Sequence, residues 1–176
     1  MPGLCRSDLL IHAGSSLTLV SEVPVETDMY RCGALLYGIL RPDWGFVPTM
    51  EVAARVVSVL DYPNGAYVGY DNAARLTRDS RLACVSIGYQ NGFDRGATEA
   101  AVLIRDQRAP VVGKVSMNAL IVDVTGIGGV SVGDVATVFG QGHRAEIPQA
   151  TVERQFGTIM ADLYTDWGLR NPRLYA

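Results

Sequence analysis

The chain has 176 residues, enough for one domain or for one domain and part of a second, and 48% of its residues are hydrophobic. Its net charge of −3 gives no electrostatic reason to expect nucleic acid or an anionic membrane surface as a partner. No apolar run approaches the ~20 residues that span a bilayer, so we expect no membrane segment.

The N-terminal sequence and three residue types, cysteine, histidine and lysine, limit the chemistry that the chain could carry. The N-terminus lacks the basic start and apolar run of a signal peptide. The three cysteines are scattered and odd in number, which is typical of reduced thiols in a cytoplasmic protein. His12 and His143 are far apart in sequence, so we expect no metal site. Of the fifteen basic residues only Lys114 is a lysine, so any chemistry that needs a lysine has one candidate here.

The first elements have an α/β texture. A short apolar run, Leu9 to His12, leads into Ala13-Gly14-Ser15-Ser16, which predicts a buried strand followed by a helix N-terminus capped by a serine. The segment from Met29 to Tyr37 predicts a strand, a turn and a second strand around Gly33. Residues 42–48 look like a linker because proline, glycine and tryptophan interrupt any periodicity.

From residue 52 onward the sequence is typical of an all-β domain. Seven short, β-branched segments are separated by turn signals such as Pro63-Asn64-Gly65. Many short strands at regular spacing predict a barrel or sandwich. One helix is expected from Gln149 to Leu163, after Pro148. The predicted strands are Val52 to Leu60, Ala66 to Tyr70, Leu82 to Tyr89, Ala100 to Arg105, Ala109 to Gly113, Ala119 to Val124 and Val135 to Phe139.

Three positions could carry chemistry, and each also has a purely structural interpretation. Ser15 and Ser16 could bind an anion at a helix N-terminus or could simply cap the helix. Arg31, among apolar residues, is either paired with Asp28 or in contact with a ligand. Tyr70, beside a glycine at a predicted strand end, either covers the core edge or acts as an acid or base.

Two further segments combine unusual residues. Gly88 to Arg95 contains two aromatic residues and an ion pair, for which a tight turn is the default interpretation. Val115 to Asn118 places small polar groups and a methionine within an apolar stretch, which alone would indicate core packing. Neither segment is specific by itself.

Taken in order, these segments resemble the alanine racemase family. The stretch from Gln107 to Met117, with the pattern Gln-Arg-Ala-Pro-x-x-Gly-x-Val-Ser-Met, is highly specific, and the similarity covers most of the chain. The other matching segments are His12 to Ser16, Asp28 to Gly38, Val68 to Tyr70, Gly88 to Phe93, Val122 to Thr125 and Val132 to Asp134.

The resemblance implies a mainly β fold in two parts. Residues 46–176 would form the C-terminal β-barrel-like domain of an alanine racemase. Residues 1–45 would be the last βα elements of an incomplete (β/α)8 barrel, the domain that holds the cofactor. It also implies a homodimer in which two subunits pair head to tail, so that the β domain of one completes the active site of the other.

The resemblance further implies a partial site for pyridoxal 5'-phosphate. Ser15 and Ser16 would contact its phosphate. The backbone groups of Gly33 and Ala34 would assist them. Arg31 would face the pyridine nitrogen, where a guanidinium donates a hydrogen bond without giving up its proton. That arrangement keeps the ring a weaker electron sink, which suits racemisation better than side reactions.

The same resemblance implies roles in the β domain. Tyr70 would be one of two catalytic bases and would exchange the α-hydrogen on one face of an amino acid. Tyr89 and Met117 would lie near the substrate entrance and carboxylate, with Arg95 farther out. The implied reaction interconverts L-alanine and D-alanine, and the D-alanine would supply peptidoglycan synthesis.

The match to the family fails at the lysine that binds the cofactor. In the family the Schiff-base lysine lies well before any segment that resembles Leu9, and Lys114 occupies a β-domain position instead. We therefore expect the chain to be inactive alone and to work as a homodimer or with a barrel-bearing partner chain. The alternatives are a non-catalytic interaction or dimerisation module and a truncated remnant of an alanine or serine racemase.

Overall fold

The computed structural model describes residues 9–97 and 99–175 and divides the chain into two units, with the boundary between Thr49 and Met50. In the first unit two short parallel strands pair, with Gly14 opposite Tyr30. Each strand leads into a single helical turn. The elements of this unit are β1 (Gly14–Ser15), α1 (Ser16–Leu19), β2 (Tyr30–Arg31), α2 (Gly33–Leu36) and a 3-10 turn at Pro42–Trp44.

Two sequence-based expectations for this unit are wrong in detail. The first strand begins at Gly14, not within the apolar run from Leu9 to His12. The segment after Gly33 is a helical turn, not a second strand. Its sequence, Gly-Ala-Leu-Leu, contains no β-branched residue and includes strong helix formers, which explains the preference.

The second unit is built on one antiparallel sheet. Its strands follow the order β8-β7-β10-β3-β6-β9, and β11 pairs with β10. A separate hairpin joins β4 to β5. The strands are β3 (Val52–Tyr62), β4 (Tyr67–Val68), β5 (Ala74–Arg75), β6 (Ser80–Val85), β7 (Ala101–Ile104), β8 (Gln107–Pro110), β9 (Leu120–Asp123), β10 (Val135–Gln141) and β11 (Glu146–Ile147).

The two ends of this sheet approach each other. Val111, just after β8, forms a bridge with Val122 of β9, and the Val112 amide donates to the Ile121 carbonyl at 2.8 Å. The sheet is therefore a nearly closed barrel, which confirms the mainly β fold expected from the sequence. Closure matters because it pairs backbone groups that an open sheet edge would leave exposed.

The core of the second unit lies inside the barrel and beneath its C-terminal helices. Trp167 is 2% exposed and stacks on Phe139 with ring centroids 5.8 Å apart. Phe156 meets Trp167 edge to face, also at 5.8 Å. Such aromatic pairs add to the stabilisation from burial alone. The fully buried aliphatic residues include Val56, Val85, Val102, Ile104, Val115, Leu120, Val122 and Val124.

The helical region differs from expectation because a glycine divides it. Two helices, α3 (Gln149–Phe156) and α4 (Met160–Arg170), replace the single helix expected from Gln149 to Leu163. Gly157 ends α3 with φ +66°, a conformation that glycine adopts without strain. Within residues 9–97 and 99–175 no helix is long and apolar enough to cross a bilayer.

Candidate functional site

Tyr70 lies on a turn that follows β4, not at the end of a strand as expected. A 3-10 turn spans Tyr70–Asn72, and Gly69 precedes it with φ +81°. Asp71 and Asn72 both have positive φ, 59° and 53°, in the left-handed region that side chains disfavour. Tyr70 itself is 61% exposed, so its phenol faces outward and does not cover the core. The turn thus presents this side chain at the surface of the second unit.

Residues 113–117 pack against the Tyr70 turn and support it. A Cβ at Gly69 would lie 3.0 Å from the backbone nitrogen of Lys114, and one at Gly113 would lie 2.7 Å from the Val68 carbonyl oxygen. Only glycines allow the two backbones to approach this closely. Val115 in the same segment is fully buried and anchors it in the core.

The same segment also supports a second turn, which carries Tyr89. The Tyr89 amide donates to the Ser116 carbonyl at 3.0 Å, and the Gln90 amide donates to the Met117 carbonyl at 2.9 Å. Met117 is 52% exposed at the end of the segment. Residues 113–117 therefore hold Tyr70, Tyr89 and Met117 in one neighbourhood.

The C-terminal end of α4 and the residue that follows it, Asn171, hold the Tyr89 turn from the other side. The indole of Trp167 donates to the Gly92 carbonyl at 3.1 Å. The Asn171 side chain donates to the Asn91 backbone carbonyl at 2.9 Å, and the Asn91 side chain donates back to the Asn171 side-chain oxygen at 3.2 Å. Arg170 donates to the Tyr89 carbonyl at 3.2 Å. Contacts on two sides therefore fix the backbone of the turn that carries the Tyr89 side chain.

Charges of both signs surround these aromatic residues. The Lys114 ammonium donates to the Asp71 carboxylate at 2.6 Å, and the Arg95 guanidinium lies 5.8 Å from the centroid of the Tyr89 ring. The hydrogen bond and charge of Lys114, with a smaller contribution from Arg95, hold the pKa of Asp71 below its usual value. Asp71 is therefore ionised at neutral pH, and the ion pair is formed.

A second group of candidate residues lies in the first unit, where the two parallel strands end. Ser15 caps α1, and its hydroxyl accepts from the Thr18 amide at 3.4 Å. Ser16 is buried, and its hydroxyl accepts from the Leu35 amide at 3.5 Å, which ties α1 to α2. The two helical turns therefore begin side by side.

Arg31 is placed by His12, not by Asp28. Its Nη1 lies 2.9 Å from Nδ1 of His12 and also contacts the His12 carbonyl oxygen. Asp28 instead accepts from the Ile11 amide at 2.7 Å. The suggested salt bridge between Arg31 and Asp28 is thus not what holds this arginine. Arg31 is exposed, which leaves its guanidinium accessible to a ligand.

Gly33 and Ala34 open α2, next to the serines. A Cβ at Gly33 would meet no atom within 4 Å, so the space beside this residue is open. Amides in the first turn of a helix have no partner within that helix and point toward its N-terminal end. Two serine hydroxyls and such amides form a donor set that suits a phosphate or another anion.

The structure thus collects the predicted site residues into two groups. Ser15, Ser16, Arg31, Gly33 and Ala34 lie together in the first unit. In the second, Tyr70, Tyr89 and Arg95 lie on or next to the turns that residues 113–117 support, and Met117 belongs to that segment. Throughout the described part of the chain, no cluster of three or more histidine, cysteine, aspartate or glutamate residues is arranged to hold a metal ion.

Sequence reasoning missed several residues that support these groups. Asp71, Asn91 and Asn171 were not singled out, although each makes a contact that fixes a turn. Asp71 could have been found as the neighbour of Tyr70. The pairing of Asn91 with Asn171 joins positions 80 residues apart in sequence, and no local pattern signals it.

Comparison with known proteins gives consistent matches. The family model described as "Alanine racemase, C-terminal domain" matches residues 49–175. A broad specificity amino-acid racemase of Aeromonas hydrophila is 43% identical over 172 residues, which cover 97% of this chain and 42% of that protein. An alanine racemase of Methanococcus maripaludis is 32% identical, over 93% of this chain and 46% of that one.

A solved structure agrees with these sequence matches. The crystal structure of alanine racemase from Bartonella henselae with covalently bound pyridoxal phosphate matches with a TM-score of 0.85 and 27% identity. The match covers 94% of this chain and 46% of that one. The 176 residues therefore span less than half the length of the relatives they match.

Proposed function

The chain belongs to the alanine racemase family, and on this premise we propose that it takes part in the pyridoxal-phosphate-dependent interconversion of L-alanine and D-alanine, with Tyr70 as one of two catalytic bases. The supporting observation is the exposed phenol of Tyr70 on a turn that packs against Gly113 and Lys114, in the segment that ends at Met117. The D-alanine formed would supply peptidoglycan synthesis.

The proposed cofactor site uses the donor set of the first unit, which fits the group chemically. Ser15, Ser16 and the amides of Gly33 and Ala34 would hold the phosphate. Arg31, fixed by His12, would donate to the pyridine nitrogen. We propose accordingly that residues 1–45 are the last βα elements of a (β/α)8 barrel and that residues 46–176 form the β domain.

The proposed chemistry divides between cofactor and protein. When bound, pyridoxal 5'-phosphate acidifies the α-hydrogen of an attached amino acid by delocalising the electrons that remain. Inversion at carbon requires one group to remove a proton from one face and another group to deliver a proton to the opposite face. The phenolic oxygen of Tyr70 would serve one of these faces. Met117 and Tyr89 would border the substrate, with Arg95 farther out.

Lys114 is not a suitable carrier of the cofactor in this proposal. Its ammonium is held by Asp71 at 2.6 Å, within the β domain and beside the proposed base. Lys114 and Tyr70 would approach the amino acid from the same face, whereas an inversion needs one group on each face. We therefore propose that the cofactor-carrying lysine lies outside these 176 residues, on a homodimer partner or another barrel-bearing chain, and that the chain is inactive alone.

Broad substrate specificity is a second candidate, favoured by one observation. Identity is higher to the broad specificity racemase of Aeromonas hydrophila, 43%, than to the alanine racemase of Methanococcus maripaludis, 32%. Alanine would then be one substrate among several, serine included. A panel of L-amino acids, scored by chiral chromatography, distinguishes the two candidates.

The test places these residues in a complete enzyme. In a chimera, residues 1–176 replace the matching part of the Aeromonas hydrophila racemase, and D-alanine formation from L-alanine is measured with added cofactor. We expect the chimera to be active and Tyr70→Phe to lower kcat by about 10²–10⁴-fold, the usual contribution of a positioned base. Tyr67→Phe is the matched control, because Tyr67 is 56% exposed on the adjoining strand β4.

Three kinds of outcome would contradict the proposal. Full activity of Tyr70→Phe would support a non-catalytic role for the β domain. Turnover by the isolated chain would show that the lysine is not supplied from elsewhere. A cofactor adduct at Lys114, reduced with borohydride and detected by mass spectrometry, would show the same. An inactive chimera in which the folded β domain is verified would point to a remnant that has lost function.

A further inference from the structure

The backbone of the Tyr70 turn has a conformation that is uncommon for residues other than glycine, although aspartate and asparagine adopt it more readily than most. Of its residues, Asp71 and Asn72 both lie in the left-handed region although neither is glycine. Within the turn the Ala73 amide donates to the Tyr70 carbonyl at 3.1 Å. A turn of this kind persists only where contacts from other parts of the chain hold it.

Two kinds of contact hold this turn, and both come from residues 113–117. The close backbone approach of Gly69 and Gly113 fixes the chain before Tyr70. The ion pair from Lys114 to Asp71 fixes the chain after it. The Asp71 side chain is 72% exposed and that of Lys114 is 40% exposed, so the pair contributes little to overall stability. Its effect is on the geometry of the turn.

We propose that the Lys114–Asp71 ion pair is a positioning device for Tyr70, which locks the phenol to the segment that carries Met117. This inference rests on the proposed function, in which Tyr70 moves a proton. Lys114 and Asp71 are positioning residues, because neither would touch the reacting atoms. A phenol displaced by about 1 Å would still allow substrate to bind but would transfer protons more slowly.

The first experiment needs no racemase activity. The 176-residue chain is labelled with 3-fluorotyrosine, and the ¹⁹F signal lost in Tyr70→Phe is assigned to Tyr70. We expect Asp71→Asn and Lys114→Gln each to shift or broaden that signal, the double variant to resemble either single one, and Lys114→Arg to restore it. About 1 M salt should act in the same direction but more weakly, because the 2.6 Å pair is shorter than the screening length of ~3 Å.

Arg105→Gln is the matched control. Arg105 also has positive φ, 52°, and also forms an ion pair, at 2.8 Å with Asp134, but on the turn between β7 and β8. We expect the Tyr70 signal to be unchanged in this variant. An unchanged Tyr70 signal in both Asp71→Asn and Lys114→Gln would overturn the inference, whatever the chimera does.

The second experiment measures kinetics in the chimera. We expect Asp71→Asn and Lys114→Gln to lower kcat about tenfold with KM nearly unchanged, and Lys114→Arg to recover most of the loss. If Tyr70→Phe abolishes turnover while Asp71→Asn keeps full kcat, the positioning inference fails and the proposed function stands. If Tyr70→Phe keeps full activity, the proposed function fails, while the ¹⁹F spectra still decide whether the ion pair fixes the turn.

Discussion

The two units differ sharply in how their candidate site residues are supported. Within residues 9–49 the buried apolar side chains are Leu35 and Ile39, whereas Leu17, Leu36 and Val47 are each at least 65% exposed. In the second unit the site turns rest on a continuous core that includes Val115 and Trp167. The first unit can arrange donors at strand ends, but only the second has the packing that holds a side chain rigidly.

Separating the units should give the largest effect. Residues 50–176 alone should unfold cooperatively, with a circular dichroism spectrum typical of β structure, because the barrel and its core lie within them. Residues 1–49 alone should give the spectrum of an unfolded chain, because about 50 residues with so little buried apolar surface cannot offset the loss of conformational entropy.

Either fragment could contradict the inferred difference in packing between the two units. A cooperative thermal transition of residues 1–49 would show that the exposed apolar side chains do not limit that unit. An unfolded 50–176 fragment would show that the barrel needs the preceding residues, and the division of the chain between residues 49 and 50 would then be a poor description of its folding. Heteronuclear NMR spectra of both fragments decide between these outcomes.

Two tryptophans, one in each unit, allow the difference in packing to be tested by single substitutions. Trp167→Ala removes a fully buried ring, its stacking on Phe139 and its hydrogen bond to Gly92, so we expect a loss of about 3–5 kcal/mol in the free energy of unfolding. Trp44 is 55% exposed in the first unit, and its main contact is with the guanidinium of Arg41. Trp44→Ala should cost less than about 1 kcal/mol.

Urea titrations of the full chain measure both values. Because Trp167 also holds the Tyr89 turn through Gly92, Trp167→Ala should additionally perturb the ¹⁹F signal of Tyr89. Trp167→Phe is the intermediate case: it keeps an aromatic ring but lacks the donor to Gly92. Equal losses for the Trp44 and Trp167 variants would mean that the two units are equally well packed.

The sequence predicted the β domain well, and the reason is periodicity. Segments such as Val52 to Leu60 and Val135 to Phe139 are rich in β-branched residues and bounded by turns, which is the local pattern of a strand. Strand order and closure depend instead on contacts such as Val111 with Val122, which join residues that no local pattern relates. Regular strand spacing predicted a barrel or a sandwich, and the recognised motif implied the barrel.

Local chemistry explains the misses. Gly157 divides the C-terminal helix because its positive φ ends α3, and the apolar spacing on either side of it conceals the break. Tyr70 was expected at a strand end, but β4 stops at Val68 and the following turn takes its shape from Gly69 and the remote Lys114. The expected site residues could be named from the motif; the contacts that position them could not.

Acidic pH should destabilise the second unit selectively. Among the described residues, the aspartates with lowered pKa all lie there. The pKa of Asp106 is lowered chiefly by the amide of Arg144, and that of Asp134 by Arg105. Burial alone would raise the pKa of Asp123, but hydrogen bonds from Thr125 and Arg78 outweigh it. The pKa of Asp71 is lowered by Lys114.

The sign of the effect follows from which form the fold prefers. A lowered pKa means that folding favours the ionised carboxylate, so the stabilisation is complete above the unfolded value of about 3.9 and is lost as pH falls through the lower folded values. We expect the melting temperature of residues 50–176 to be nearly constant from pH 7 to about 5 and to decline steeply below about 4. Asp106→Asn retains an oxygen that accepts from Arg144 and Ala145, at 2.9 and 3.2 Å in the native protein, but removes the titration. This variant should therefore flatten the acid limb of the profile; a profile as steep as that of the parent chain would mean that other groups cause the acid sensitivity.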